Sequence, residues 1–300
     1  MKFPLQNCFK KKAKVMILAA MSIGAGYLFY SKPQSVETKI YITQITDHPS
    51  LDKIRKSLIS CLEENLSYSV KIRYQSAQGN ITTAAQIARQ FVNEKPAVII
   101  PITTPSAQTV FSVAKGTGIP VVFSAVSDPE AAKLTQDITG IQDAPPIEGQ
   151  INLMKTLCPA LKIVGFLYNP SEANSVAALK QLKLHAKGIK VVEGALVSTH
   201  QIGEVTKALS SRVQAFYIPN DNTAISHFET IVRIAHRHSI PVFTSDPESV
   251  ERGALATVAV DQESIGIDTA HLVLKVLKEK KADKYTNEHG KSYFEKGHPL

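Results

Sequence analysis

No P-loop, no H-E-x-x-H and no paired C-x-x-C occurs in the 300 residues, so the usual marks of nucleotide hydrolysis and of a protein-bound zinc are missing. Cysteine occurs three times. Cys8 precedes the apolar N-terminal run, whereas the attachment cysteine of a lipoprotein would follow it. Cys61 and Cys158 fall in different halves of the chain and are expected as two unpaired, buried thiols on helices. An excess of positive charge is also missing where it would matter. The chain carries +8, but Lys2, Lys10, Lys11, Lys12, Lys14 and Lys32 account for six of those charges, so the remainder carries only +2. A nearly neutral body lacks the footprint of a phosphate binder, and no nucleic-acid partner is expected.

What is present starts with a leader. Lys10-Lys11-Lys12-Ala13-Lys14 precedes the apolar run VMILAAMSIGAGYLFY, residues 15–30. Lysines held on the cytoplasmic side of a short apolar stretch make a secretory signal. The 16-residue run is short of the ~20 that span a bilayer comfortably. Residues 1–32 are therefore read as a signal peptide or as an uncleaved N-terminal anchor, and the protein as periplasmic or otherwise extracytoplasmic. A DNA-binding regulator would need a helix-turn-helix ahead of Lys39, where this segment stands.

Beyond the leader, short apolar runs alternate with amphipathic stretches. Strands are expected at 39–45, 70–74, 97–102, 120–123, 162–168, 189–195, 215–218, 241–244 and 255–260. Leu51, Ile54, Leu58, Cys61 and Leu62 keep a helical rhythm, as do Val176, Leu179, Leu182 and Ala186. Strands separated by helices imply α/β lobes with doubly wound parallel sheets. Landmarks also recur. Pro49-Ser50 returns as Pro170-Ser171, Ile100-Pro101 as Ile218-Pro219, and Ile119-Pro120-Val121 as Ile240-Pro241-Val242, at offsets of 121, 118 and 121 residues. Two lobes of one βα design follow. The first spans 38–145 with a return segment at about 262–280, the second spans 146–261, and 281–300 form a polar tail. A hinge between such lobes lets them close on a ligand.

In parallel α/β sheets ligands sit beyond the carboxyl ends of the strands, and there the loops are rich in Ser, Thr, Asn, Asp and Pro. These residue types also cap helices and make turns whatever the function, so both roles stay open. Asp47, Asp221, Asp246 and Asp261 all fall at strand ends. Carboxylates converging with hydroxyls and helix N-termini suit a zwitterion, whose ammonium meets the acids and whose carboxylate meets the N–H groups. Catalytic patterns are weak. Ser112-x-x-Lys115 lacks the rest of its motif set, and His236 and His238, two apart on a helix, point to different faces. No enzymatic activity, cofactor or metal is expected.

The loop motifs carry a resemblance. HPSLD (48–52), YQSAQGN (74–80), ITTPSAQ (102–108), IPVVFSAVSDP (119–129), LYNPSEANS (167–175), IPNDNT (218–223) and RGALATVAVD (252–261) resemble the ABC transporter substrate-binding proteins of the tryptophan/tyrosine-binding type. The resemblance implies the type I periplasmic-binding-protein fold and an aromatic amino acid, or a similar small solute, bound between the lobes. It implies delivery to a membrane ABC permease by a binding protein acting as a monomer; a sensory binding protein reporting to a membrane receptor is the alternative. The site residues it implies are Asp47, Thr104, Pro105, Ser124, Ala125, Asn174, Ser175, Asp221, Asn222, Asp246 and Asp261, with Tyr168, Phe123 and Tyr217 near the same loops as a wall for an aromatic ligand. There are three departures: Asp47 stands where similar proteins have Glu, Gln262 stands where they have an aromatic residue, and the tail lacks a final apolar strand.

Overall fold

The segment TKIYITQ forms β1 (Thr38–Gln44), because its β-branched residues and tyrosine suit a pleated, buried surface. Its alternate side chains feed two cores. Ile40 and Ile42 pack with Leu51, Ile54 and Leu58 of α1 (Pro49–Asn65), while Tyr41 packs on the opposite face with Ile99 and Phe91. The structure is a computed structural model; it describes residues 37–134, 138–144, 146–279, 288–289 and 292–296. The expected signal or anchor at 1–32 lies outside the described residues, and from Thr38 onward the chain forms one unit.

β2 (Val70–Ser76), α2 (Ile81–Asn93), β3 (Val98–Ile102), α3 (Thr104–Ala114), β4 (Val122–Val126) and β5 (Thr139–Gln142) complete the first lobe's strands. The second lobe follows with α4 (Ile147–Leu157), β6 (Ile163–Tyr168), α5 (Ala173–His185), β7 (Lys190–Ala195), α6 (Ile202–Ser210), β8 (Ala215–Ile218), α7 (Asn222–Ser226), α8 (Phe228–Arg237), β9 (Val242–Thr244) and β10 (Ala256–Val260). Then come α9 (Gln262–Glu279), β11 (Glu288–His289) and β12 (Ser292–Lys296).

The first sheet has the order β11-β5-β4-β3-β1-β2 and is parallel throughout; the second runs β12-β10-β9-β8-β6-β7, with β12 alone antiparallel. Strands buried on both faces read as unbroken apolar runs, such as VIIPI in β3 and AFYI in β8. Each lobe accordingly has two cores, one on each side of its sheet. Alpha helix α9 leaves the second sheet and packs back on α1 in the first lobe's core. Among the described residues the chain thus passes between the sheets after β5, after β10 and between β11 and β12.

The expected α/β class with two doubly wound sheets is the observed one. Some local expectations change. The strand expected at 120–123 runs instead as Val122–Val126, since Val121 makes only an isolated bridge to Ile99. The polar Ser124 is accepted inside it because its hydroxyl shares a 2.8 Å hydrogen bond with Thr269. β5 was not foreseen: its TGIQ is short and contains Gly140, where a Cβ would lie 2.1 Å from the Phe123 carbonyl oxygen. The tail expected to lack a strand supplies β11 and β12. Val176 is exposed although it fits the helical rhythm, and Cys158, at the end of α4, is only half-buried; both body cysteines are free.

Candidate functional site

The carboxyl ends of both sheets open onto one tight cavity of about 30 Å³, well below the ~300–1,000 Å³ of ligand pockets. The first lobe contributes His48, Ser50 and Leu51 at the start of α1, Thr103 and Thr104 at the start of α3, Ala125 and Ser127 after β4, and Asp143 after β5. The second lobe contributes Asn174 in the first turn of α5, Asn220, Asp221, Asn222 and Ile225 around α7, and Asp246 after β9. Gln262 enters at the first turn of α9.

The backbone is bent to make this site. Thr103 has φ 82° and ψ 160°, and Ala125 has φ 55°. A non-glycine residue in either region costs on the order of 1–3 kcal/mol and persists only where the surroundings hold it. The Thr103 N–H donates to the Ser124 carbonyl at 2.9 Å, and β4 shifts register at Ala125. Both strained residues line the cavity.

Its second-lobe wall is built on two buried acids. Glu172 accepts at 2.9 Å from the Asn222 N–H, at 2.7 Å from Asn222 Nδ2, and from the Thr223 N–H and hydroxyl at 3.0 and 2.9 Å. Asp221 caps α7 by accepting from the Ala224 N–H at 2.8 Å, and its other oxygen accepts from the Asn169 N–H and Ser175 Oγ, each at 2.6 Å. Burial first, and the Glu172 charge second, push the Asp221 carboxyl well above the usual range. On the first-lobe side, burial holds the His48 imidazole below its usual value and so favours its neutral form.

Among the described residues, four polar side-chain contacts cross between the lobes. Ser50 Oγ donates to Asp246 Oδ1, Asn220 Nδ2 donates to Asp143 Oδ2 at 2.9 Å, Thr46 and Ser226 share their hydroxyls at 3.3 Å, and Lys53 pairs with Glu248 at 2.9 Å. The lobes are closed on the cavity. Within it, His48 Nδ1, Thr103 Oγ1, Asp143 Oδ1 and Asn174 Oδ1 are buried without a hydrogen-bond partner. Buried polar atoms are ordinarily satisfied; these four are the unpartnered ones on residues that line the cavity.

Residues 39–293 match the family model described as ABC transporter substrate binding protein. The chain belongs to the ABC transporter substrate-binding proteins. It is 34% identical over 257 residues to the tyrosine-binding protein of Clostridioides difficile (strain R20291), covering 81% of this chain and 74% of the relative. Among solved structures, it is 33% identical to the ABC domain in complex with L-Trp from Streptococcus pneumonia, with a TM-score of 0.81 over 85% of this chain and 91% of that one. It is 31% identical to the ligand-free, open structure of a substrate binding protein with adhesive properties from Clostridium difficile, with a TM-score of 0.63 over 86% and 91%. This family binds substrates and is not an enzyme family, and its members work outside the cytoplasm with ABC permeases. Among the described residues no helix is long and apolar enough to cross a membrane.

In this binding protein the sequence-expected residues divide. Thr104, Ala125, Asn174, Asp221, Asn222 and Asp246 line the cavity. Ser175 stands one layer behind, bonded to Asp221, and Pro105 is buried in the first turn of α3. Ser124 turns away to Thr269, and Tyr168 is buried in the core with its hydroxyl on Glu193 at 2.9 Å. Asp261 caps α9 through the Ser264 N–H at 3.1 Å. Asp47 is exposed and lies outside the cavity, bonded to Gln44, Tyr74 and Gln78. Burial raises its carboxyl, but those hydrogen bonds outweigh it and leave the pKa lowered. Phe123 and Tyr217 are core residues, and among the described residues no Phe or Tyr lines the cavity. The cavity's apolar surface comes from Leu51, Ala125 and Ile225.

Residues missing from that expectation are His48, Ser50, Leu51, Thr103, Ser127, Asp143, Asn220, Ile225 and Gln262. Most sit beside an expected one in the same loop. Asp143 does not; its only signal was an acid directly after a short apolar strand.

Burial, with the Asp246 charge nearby, pushes the Asp143 carboxyl up to about 7, opposed by the amide side chain of Gln262 beside it and by the Asn220 hydrogen bond. With an unfolded value of about 4, the folded chain keeps a proton between about pH 4 and pH 7 that the unfolded chain has lost. Stability is therefore lost as pH rises through that window, by on the order of 4 kcal/mol at most. Asp143→Asn removes this penalty. Its ligand-free stability should exceed the parent's modestly near pH 5 and by clearly more near pH 8; urea unfolding at the two pH values measures the difference.

Proposed function

We propose that this binding protein captures an amino acid, specifically an aromatic one such as tryptophan or tyrosine, between its lobes and delivers it to the permease of an ABC importer. The chain acts as a single copy, with residues 1–32 as its export signal or membrane anchor. The observation that carries the reading is the interlobe cavity with four unpartnered polar atoms. A zwitterion suits them, since carboxylate and amide oxygens accept from an ammonium while helix starts at Thr104 and Ser50 offer donors to a carboxylate. The tyrosine-binding and L-Trp-bound relatives support the ligand class.

Capture proceeds by hinge closure. The chain is about equally identical to the L-Trp complex and to the ligand-free open structure, yet its coordinates agree much better with the former. A rotation of lobes lowers such agreement without touching identity. That contrast supports a closed state resembling the loaded one.

Thermal unfolding against the twenty amino acids tests the ligand class. A ligand that binds only the folded state stabilises it by about 2.7 kcal/mol at a hundredfold excess over its dissociation constant. A raised midpoint with tryptophan, tyrosine or phenylalanine is expected. No shift with any amino acid would overturn the assignment and leave the fold standing.

A further inference from the structure

Among the described residues the cavity has three acids on its wall, Asp143, Asp221 and Asp246, and neither a lysine nor an arginine. Two of the acids are already spoken for. Asp221 spends its oxygens on the Ala224 and Asn169 N–H groups and on Ser175. Asp246 spends one on Ser50 and the other on Ser249. Asp143 is 6% exposed; its Oδ2 accepts from Asn220 Nδ2 at 2.9 Å, and its Oδ1 has no partner. Gln262 lies beside it, but its Nε2 donates to the Val260 carbonyl at 2.9 Å.

A second free acceptor is tied to the same corner. Asn174 Nδ2 donates to the Asn220 carbonyl at 2.6 Å, which leaves Asn174 Oδ1 buried and unpartnered. Asn220 therefore holds both Asp143 and Asn174, and each presents one empty acceptor. A primary ammonium has three N–H donors and the positive charge that this wall lacks. Hydroxyl groups could fill the acceptors but would leave the charge uncompensated.

We infer that Asp143 is the carboxylate that receives the ligand's primary ammonium, and that it does so with the lobes closed because its second oxygen is held by Asn220 from the other lobe. The inference rests on the amino-acid reading above and names the group within that site that selects for an amine. It also explains why a buried acid is kept without a cation in the ligand-free fold. Asp143 is a cost to the empty protein and a contact in the filled one. The charged group facing it is Asp246, which carries hydroxyl partners, and the elements around it add only the neutral amides of Asn220 and Gln262. The Asp246 charge beside it adds to the demand for a cation.

Calorimetric titration tests this with L-tyrosine, L-tryptophan and their deaminated counterparts, 3-(4-hydroxyphenyl)propanoate and 3-(indol-3-yl)propanoate, on the parent protein and on Asp143→Asn. Loss of a charge-assisted contact is expected to weaken the amino acids about tenfold or more in the variant. The deaminated acids should bind the parent at least as weakly, with little difference between the two proteins. The ligand-free unfolding midpoint of Asp143→Asn should be unchanged or raised, which a purely structural role would not produce. Variant affinity within about twofold of the parent, or deaminated acids binding the parent as tightly as the amino acids, overturns the inference and leaves the amino-acid reading intact. Absence of binding by the parent to either amino acid, and to the other eighteen tested in the same way, overturns both.

Discussion

Replacing Gly266 by alanine is expected to destabilise the protein by about 3 kcal/mol, although the same change on an exposed helix would stabilise it by up to about 1 kcal/mol. The sign reverses because of where α9 crosses α1. A Cβ at position 266 would lie 2.0 Å from Ser57 Oγ, 2.4 Å from the Ile54 carbonyl oxygen and 3.0 Å from the Leu58 nitrogen. Ser57 can rotate away, but its hydroxyl then gives up its bonds to the Lys53 and Ile54 carbonyls. The α1 backbone cannot rotate. The helices must separate, which loosens Ile54, Leu58, Ile265, Ala270 and Val273 in a close-packed core. Urea denaturation reads the loss directly. A variant within about 0.5 kcal/mol of the parent would show that the crossing has slack.

Asp221→Ala is the second large effect, and it separates two roles for the same residue. The sequence suggests Asp221 as an ammonium partner, whose loss weakens a ligand without harming the fold. In the structure Asp221 is fully buried and satisfies three donors. Alanine leaves the Asn169 and Ala224 N–H groups and the Ser175 hydroxyl without their acceptor, at about 1–3 kcal/mol each. Removing a charge that sits near Glu172 offsets part of this, so a net loss of about 3 kcal/mol is expected. Binding should fall as well, because Asn174 and Asn222 flank the loop that Asp221 pins. Asp221→Asn keeps one acceptor oxygen and should lie between the two. Full stability with abolished binding in Asp221→Ala would instead make it a direct ligand contact.

That double use explains how far the sequence could be read. The sheets were legible because VIIPI, IVGFLY and AFYI are apolar runs between helices of 3.6-residue rhythm, and a strand buried on both faces has no other way to appear. β5 and the tail strands escaped for the opposite reason. TGIQ is four residues long, and SYFEK is too short and too charged to stand out from a polar tail. At the site, chemistry located the loops but not the direction of each side chain. Asp246 and Asp261 both follow a strand and precede a helical turn. Asp246 reaches across the cleft to Ser50, while Asp261 folds back onto Ser264. Nothing in their spacing distinguishes them. Asp47 fails similarly, drawn outward by Tyr74 and Gln78 on the neighbouring strand and the loop after it. Asp143 was passed over because its segment, with a glycine and two prolines close by, reads as a boundary between lobes. That segment nonetheless brings Asp143 into the cavity wall.

The interlobe contacts carry a further consequence for traffic through the transporter. A permease that admits closed binding proteins reads closure as a sign of cargo, so an empty protein that closed firmly would trigger futile cycles. On the importer reading proposed above, three of the four interlobe contacts are weak. Lys53 keeps 41% of its side-chain surface in water while paired with Glu248, and such an ion pair is worth about 0–1 kcal/mol. Thr46 and Ser226 meet at 3.3 Å, and the Asp143–Asn220 bond joins a carboxyl that resists burial. Shifting a two-state population from 1:99 to 99:1 takes about 5.5 kcal/mol, and these three contacts supply little of it. On that reading the rest comes from the solute itself, together with the buried Ser50–Asp246 bond, so that closure reports cargo.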